Sequence, residues 1–176
     1  MLKPKRVLVT RDQIRDKVKE MARAIDAAHQ GDELVLVGVL KGGIVLMADL
    51  MRELRLPVRL DFIAAESYGA STETSGVVKL TRDVTTDLRG RHVLLVEDIV
   101  DTGLTIRYLI SHLKGKDPAS LEVAVLLDKV SRRKVPVDVR YRGLVIPDAF
   151  VVGYGLDYAE HYRNLPDVMV VEEDGT

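Results

Sequence analysis

Between Val93 and Thr105, four apolar residues run straight into the adjacent carboxylates Glu97 and Asp98. A third carboxylate follows at Asp101, and Thr102, Gly103, Leu104 and Thr105 close the stretch. Ionised carboxylates are pure hydrogen-bond acceptors, so Glu97 and Asp98 suit a pair of sugar hydroxyls. The amides that open a helix lack intrahelical acceptors and carry partial positive charge, which draws phosphate. Gly103 lets the backbone approach an anion closely, and the hydroxyls of Thr102 and Thr105 add donors. A phosphate at one end and a diol at the other describe a ribose 5-phosphate. Adjacent carboxylates after a fully apolar run are costly to place without a partner, which weighs against a plain polar turn.

The elements around this stretch follow from periodicity. Val93 to Val96 reads as a strand buried on both faces, as in the middle of a parallel sheet. Ile106, Leu109, Ile110 and Leu113 have helical spacing, so the polar residues fall on a turn between strand and helix. Open α/β sheets hold their ligands at that position. Upstream, Thr10 and Gln13 fit a capping box, and Ile14, Val18, Met21, Ile25 and Ala28 form one helix face ending near Gly31. Leu34 to Leu40 reads as a strand, Ile44 to Leu54 as a helix, and Val58 to Ala65 as the next strand. Glu66 to Gly76 is polar, hydroxyl-rich and aperiodic, hence a loop or the tip of an extended hairpin with Val77 to Thr81. Leu121 to Leu127 is a further apolar strand. Val137 to Tyr141, Leu144 to Ile146 and Val168 to Val171 are short strand candidates. The alternation predicts an α/β fold with a mostly parallel central sheet flanked by helices. The whole chain, 1–176, reads as one domain, with residues from about 130 onward forming a smaller cap over the strand ends.

Several other residues have types suited to chemistry. Lys41-Gly42-Gly43 follows a buried strand, where two glycines permit close approach to an anion; the spacing of a Walker A loop is absent. The Lys129 ammonium can donate to a substrate carbonyl, and Phe150 can stack on a planar ring. Asp157 suits a hard cation and Arg163 suits phosphate oxygens. His29, His92, His112 and His161 are scattered without ligand spacing, so no zinc site is assigned. Asp101-Thr102-Gly103 matches the aspartic-protease tripeptide, but the helix after Thr105 does not suit that β-rich fold.

Composition narrows the class. A chain of 176 residues with 47% hydrophobic and 30% charged residues has room for one sizeable core. The net charge of −1 offers no general attraction to nucleic acid, and the absence of cysteine excludes disulfides and thiolate metal sites. No apolar run approaches the ~20 residues of a membrane span, and no signal-peptide core follows the basic start. The expected setting is the cytoplasm, with neither a membrane nor a nucleic-acid partner.

Val96 to Gly103 resembles the ribose-phosphate signature of type I phosphoribosyltransferases, which use 5-phosphoribosyl-1-pyrophosphate (PRPP). Val39 to Gly43, Ser67-Tyr68-Gly69, and the run from Ile146-Pro147-Asp148 through Phe150 to Tyr154, Asp157 and Arg163 extend the likeness over nearly the whole chain. With Lys129, the last run is similar to the 6-oxopurine branch, the hypoxanthine-guanine phosphoribosyltransferases. The resemblance implies a Mg²⁺-dependent transfer to hypoxanthine or guanine in purine salvage by a homodimer or homotetramer. It implies that Lys41 and Gly42 contact pyrophosphate, with a cis Leu40–Lys41 peptide. Glu97 and Asp98 would hold the ribose hydroxyls directly or through Mg²⁺, and residues Asp101, Thr102, Gly103, Leu104 and Thr105 would cradle the 5-phosphate. Asp101 would also serve as general base or acid at N7 of the purine. Lys129 would donate to O6, Phe150 would stack on the ring, and the Val151 backbone would read its edge. Asp157 would bind a Mg²⁺ that also holds pyrophosphate, Arg163 would contact that pyrophosphate, and Ser67 and Tyr68 would belong to a closing lid. Glu66 stands where the family has a small residue, and Leu104 where some members carry lysine. Two other readings are a phosphoribosyltransferase for xanthine, adenine or a pyrimidine, and a regulator of the same fold that binds RNA.

Overall fold

A computed structural model describes residues 3–68 and 77–172. Six strands form the main sheet. They are β2 (Leu34–Val39), β3 (Val58–Tyr68), β4 (Val77–Arg82), β5 (His92–Val100), β6 (Ser120–Asp128) and β7 (Tyr141–Val145), in the order β4-β3-β2-β5-β6-β7. All neighbours run parallel except β4, which returns antiparallel along β3. Helices α1 (Arg11–Ala28) and α2 (Gly43–Glu53) cover one face and α3 (Leu104–Lys114) covers the other. The chain is thus the mostly parallel α/β architecture that the alternation predicts.

Period-two alternation sorts the strand residues between the two layers. Leu34, Leu36, Leu94 and Leu126 pack with Ile14, Val18, Ile25, Leu46 and Leu50 beneath α1 and α2. Val35, Val37, Val93, Leu95, Val123 and Val125 pack with Ile106, Leu109 and Leu113 beneath α3. Each fully buried side chain of this kind stabilises the fold by roughly 1.5–3 kcal/mol relative to exposure. Thr10 caps α1 as expected: its hydroxyl accepts from the Gln13 amide, and the Gln13 side chain accepts from the Thr10 amide at 2.9 Å. The Leu40–Lys41 peptide is cis.

Two features depart from the sequence expectation, and a third decides between two alternatives it left open. The strand carrying Glu97 and Asp98 does not stop at Val96. Its pairing with β2 ends at Gly38 and Val96, but pairing with β6 continues through Ile99–Leu127 to Val100–Asp128. The two carboxylates therefore lie on the last, one-sided part of a strand rather than on a turn, at the point where β2 has already turned away into α2. Ser67 and Tyr68 are strand residues, in register with Val78 and Val77 of β4, as the extended-hairpin alternative for this stretch expects; residues 69–76 of the expected lid lie outside the described residues. Finally, the segment after 130 divides in two. Its first strand, β7, joins the main sheet beside β6. The later strands, β8 (Val151–Val152) and β9 (Val168–Glu172), pair with the N-terminal β1 (Lys3–Val9) in a separate three-stranded sheet. Pairing between the two ends of the chain has no local signal, because the partners are separated by nearly the full sequence.

Candidate active site

The main sheet has a switch point between β2 and β5. The connection from β2 passes through α2 to β3 on one side, and that from β5 passes through α3 to β6 on the other. The crevice between the carboxyl ends of the two strands is where such sheets bind ligands. A cavity of about 450 Å³ opens there. Lys41 and Gly42 enter it from β2; Glu97, Asp98, Asp101, Thr102, Gly103 and Thr105 from β5 and the start of α3; Lys129 from the end of β6. Phe150, Val151, Asp157 and Arg163 enter from the segment around the small sheet. Leu104 opens α3 next to the cavity but does not line it.

The loop before α3 is built for an anion. Gly103 has φ +87°, which favours glycine, and an added Cβ would come 2.8 Å from the Val137 side chain and 3.2 Å from the Val135 carbonyl. The Leu104 amide donates to the Thr102 hydroxyl at 3.4 Å, and the helix closes its first turn with Arg107 N–H donating to Gly103 C=O at 3.0 Å. The opening amides of α3 face the cavity end of the helix, where its dipole favours negative charge. Opposite them, Lys41 pairs with Glu160 at 2.7 Å, and Arg163 pairs with Asp157 at 2.9 Å and Glu160 at 3.2 Å. The Arg163 Nε is buried with no acceptor among the described residues. A donor in that condition suits an anionic ligand.

Glu97 and Asp98 are only 8% and 7% exposed. Burial, reinforced by the charge of Asp98, pushes the Glu97 carboxyl well above the usual carboxylate range. Burial also pushes Asp98 up, against the pull of its hydrogen bonds and of Arg163. Side by side, these two groups call for a cation or for hydroxyl donors. Oxygen donors from adjacent carboxylates, with Asp157 in the same cavity, fit a hard divalent cation. Gly42 gives Asp98 its room: a Cβ there would lie 1.8 Å from Asp98 Oδ2.

In the same cavity the Lys129 ammonium stands 3.8 Å from Asp101 and 4.0 Å from Asp148. Lys129 is buried, whereas Phe150 is 50% exposed, with its ring edge-to-face against Tyr158 at 5.8 Å. An exposed aromatic ring and a buried cation in one cavity suit a planar, carbonyl-bearing ring.

Sequence reasoning missed the residues that hold these groups. Arg132 pairs with Asp101 at 3.1 Å and with Asp148 at 3.7 Å. Glu160 links Lys41 to Arg163. Asp128, fully buried, pairs with Arg133 and with Arg142 at 2.7 Å, anchoring the turn that carries Lys129 and Arg132. The same turn is stitched to the phosphate loop by Lys129 N–H to Val100 C=O at 3.0 Å and Lys134 N–H to Thr102 C=O at 2.9 Å. The basic run 131–134 and Asp148 were visible in the sequence, but nothing local identified their partners.

This fold and this crevice are those of a phosphoribosyltransferase. The family model described as the phosphoribosyl transferase domain matches residues 10–159, and the chain belongs to that family. Within it, the chain is similar to hypoxanthine-guanine phosphoribosyltransferases. That of Streptococcus pneumoniae is 44% identical over 170 residues, covering 97% of this chain and 94% of the relative. That of Dictyostelium discoideum is 45% identical over 172 residues, covering 96% of each. The crystal structure of a hypoxanthine-guanine phosphoribosyltransferase from Bacillus anthracis superposes with a TM-score of 0.92 at 44% identity, over 98% of this chain and 100% of that one.

Proposed function

We propose that this chain transfers the 5-phosphoribosyl group of PRPP to hypoxanthine or guanine, releasing pyrophosphate and forming IMP or GMP. The observation that carries the reading is one cavity lined by an anion-binding loop, a buried carboxylate pair, a buried lysine and an exposed aromatic ring.

In this reading Asp101, Thr102, Gly103, Leu104 and Thr105 hold the 5-phosphate, with Leu104 acting through its backbone. Glu97 and Asp98 accept from the ribose hydroxyls. Lys41, Gly42 and Arg163 meet the pyrophosphate, and the salt bridges of Lys41 and Arg163 to Glu160 keep both cations at that end. Lys129 donates to O6 of the purine, Phe150 covers its face and Val151 reads its edge. Asp101 takes the proton from the attacking ring and returns it in the reverse reaction. Arg132 and Lys129, on either side of the Asp101 carboxylate, fix its position. The sugar passes through an oxocarbenium-like state, in which the acceptor carboxylates near the ribose are favourable.

Glu97, Asp98 and Asp157 would hold Mg²⁺, which when bound supplies charge compensation for the departing pyrophosphate. The small sheet and the segment 147–165 form the cap over the base, so the chain acts as one domain with its hood drawn from both termini. The reading also places the enzyme in the cytoplasm as a homodimer or homotetramer. No helix among the described residues is long and apolar enough to cross a membrane.

The test is a product assay with PRPP and Mg²⁺, offering hypoxanthine, guanine, xanthine, adenine, uracil and orotate one at a time. Nucleotide from hypoxanthine and guanine, abolished by chelation, is expected. Nucleotide only from adenine or a pyrimidine would overturn the base assignment. No nucleotide from any base, with PRPP still bound, would overturn the enzymatic reading.

A further inference from the structure

At the opposite end of the sheet the fold assembles a histidine pair that sequence spacing did not reveal. His29 caps the C-terminus of α1, its amide donating to Ile25 C=O at 3.1 Å. The following turn closes with Asp32 N–H donating to His29 C=O at 3.1 Å, which brings Asp32 back beside the ring. His92 opens β5, in register with Leu34 of β2 and Ser120 of β6. The result is that one ring nitrogen of His29, one of His92 and a carboxylate oxygen of Asp32 all lie within 4.8 Å of one another.

We propose that His29, Asp32 and His92 form a binding site for a late first-row divalent cation of the zinc class, separate from the transfer site. Two imidazoles and one carboxylate are ligands of that class, and magnesium does not favour nitrogen donors. Each ring is already oriented by a partner outside the trio. Glu122 Oε2 meets His29 Nε2 at 2.8 Å, and Ser120 Oγ meets His92 Nδ1 at 2.8 Å. Glu122 is itself fixed by the Tyr141 hydroxyl at 3.0 Å and by Arg140 at 2.9 Å. Metal-binding histidines characteristically have such outer partners, which set ring orientation and basicity. With the Nδ1 of His92 committed to Ser120, its Nε2 faces Asp32 Oδ2 at 3.7 Å. Metal–ligand bonds of ~2.0–2.1 Å place tetrahedral donors ~3.3 Å apart, so a small rotation of Asp32 closes that pair.

Exposure also suits the assignment. His29 is buried, while the side chains of His92 and Asp32 are 36% and 44% exposed. The trio is therefore anchored on its inner side and open outward, which leaves an entry path and room for a solvent ligand. A bound cation would tie the end of α1, the turn into β2 and the start of β5 together, linking segments about sixty residues apart. Its consequence is stability of the folded chain, since the ligands are not assembled in the unfolded one.

The test uses the full chain without a histidine tag, with Co²⁺ as the optical probe in saturating Mg²⁺. One equivalent of Co²⁺ is expected to give a visible absorption band typical of nitrogen ligation, which Zn²⁺ then displaces. Zn²⁺ is also expected to raise the Tm. His92→Ala should weaken binding at least tenfold and remove the Tm rise while keeping transferase activity. Asp32→Asn provides the same comparison should His92→Ala fold poorly. Glu122→Gln should weaken binding by about 10- to 100-fold, the usual range for an outer partner. Asp98→Asn, at the other end of the sheet, should leave the band intact. Absence of the band, a band unchanged in both His92→Ala and Asp32→Asn, or a band lost in Asp98→Asn would each overturn the proposal.

Discussion

Gly42→Ala isolates one demand of the site, because its effect on folding and its effect on chemistry have different origins. Gly42 has ordinary helical backbone angles, φ −59° and ψ −41°, so alanine meets no conformational barrier there. The added Cβ would lie 1.8 Å from Asp98 Oδ2, while ordinary contact begins at 3.4 Å, so loop or carboxylate must shift by about 1.6 Å. Asp98 is buried and its Oδ1 accepts from the Ile99 amide at 2.8 Å. Turning it away removes this charged hydrogen bond from the half-buried Ile99 amide, at roughly 1–3 kcal/mol. Alanine offsets roughly 0.5–1 kcal/mol of this by stiffening the unfolded chain. The net loss of stability is then about 2.5 kcal/mol at most, or a fall in Tm of up to ~10 °C for a chain of this size. Activity should fall much further, since misplacing a reacting group by about 1 Å costs on the order of 10²-fold. The assay is nucleotide formation at saturating PRPP, beside a thermal melt of the same sample. Asp98→Ala supplies the second arm: in that background Gly42→Ala should have little further effect on either readout. Retention of wild-type turnover by Gly42→Ala to within about threefold would refute the close approach of loop and carboxylate.

Three further outcomes follow from the geometry. Lys129→Met should lower kcat/KM for hypoxanthine by about 10- to 100-fold, the worth of a charged hydrogen bond, with PRPP affinity retained in a direct binding assay. Phe150→Ala should raise the KM for the purine about tenfold and leave the Tm nearly unchanged, because the ring is half exposed and contributes contact area to the ligand rather than to the core. Asp61 tests the framework. Burial pushes its carboxyl up, but the amides of Thr86, Phe62 and Thr85, at 2.7, 2.7 and 2.8 Å, outweigh this and hold it below the usual range. Its stabilisation is therefore present above the unfolded value of about 3.9 and is lost as pH falls through the lower folded value. Asp61→Asn should be roughly 1.5–3 kcal/mol less stable in urea at pH 7, and the gap should narrow toward pH 3.

Legibility from sequence followed the range of the interactions. Thr10 and Gln13 are three residues apart, and the capping box they form could be read directly. The apolar runs of β2, β5 and β6 named the buried strands, and Gly103 before a helical pattern named the anion loop. The ionic supports were not readable, because their partners are set by topology. Lys41 meets Glu160 across 119 positions, and His29 meets Glu122 across 93. The full length of β5 is hidden in the sequence for a related reason. Charged Glu97 and Asp98 signal the end of a strand, yet β6 alone continues to pair with it to Val100. The two termini read as independent apolar segments, and only Pro4–Val171 and its neighbouring pairs show that they form one small sheet.

The assignment of Asp101 is the most direct point at which to test phosphoribosyl transfer at this crevice. The measurement is the rate of nucleotide formation by Asp101→Ala, made alongside equilibrium binding of PRPP to the same protein. Loss of general acid–base catalysis should lower kcat by about 10²- to 10⁴-fold while the Kd for PRPP changes by only about threefold. Parallel losses of turnover and PRPP binding would contradict a proton-transfer role and reduce Asp101 to a support for the phosphate loop.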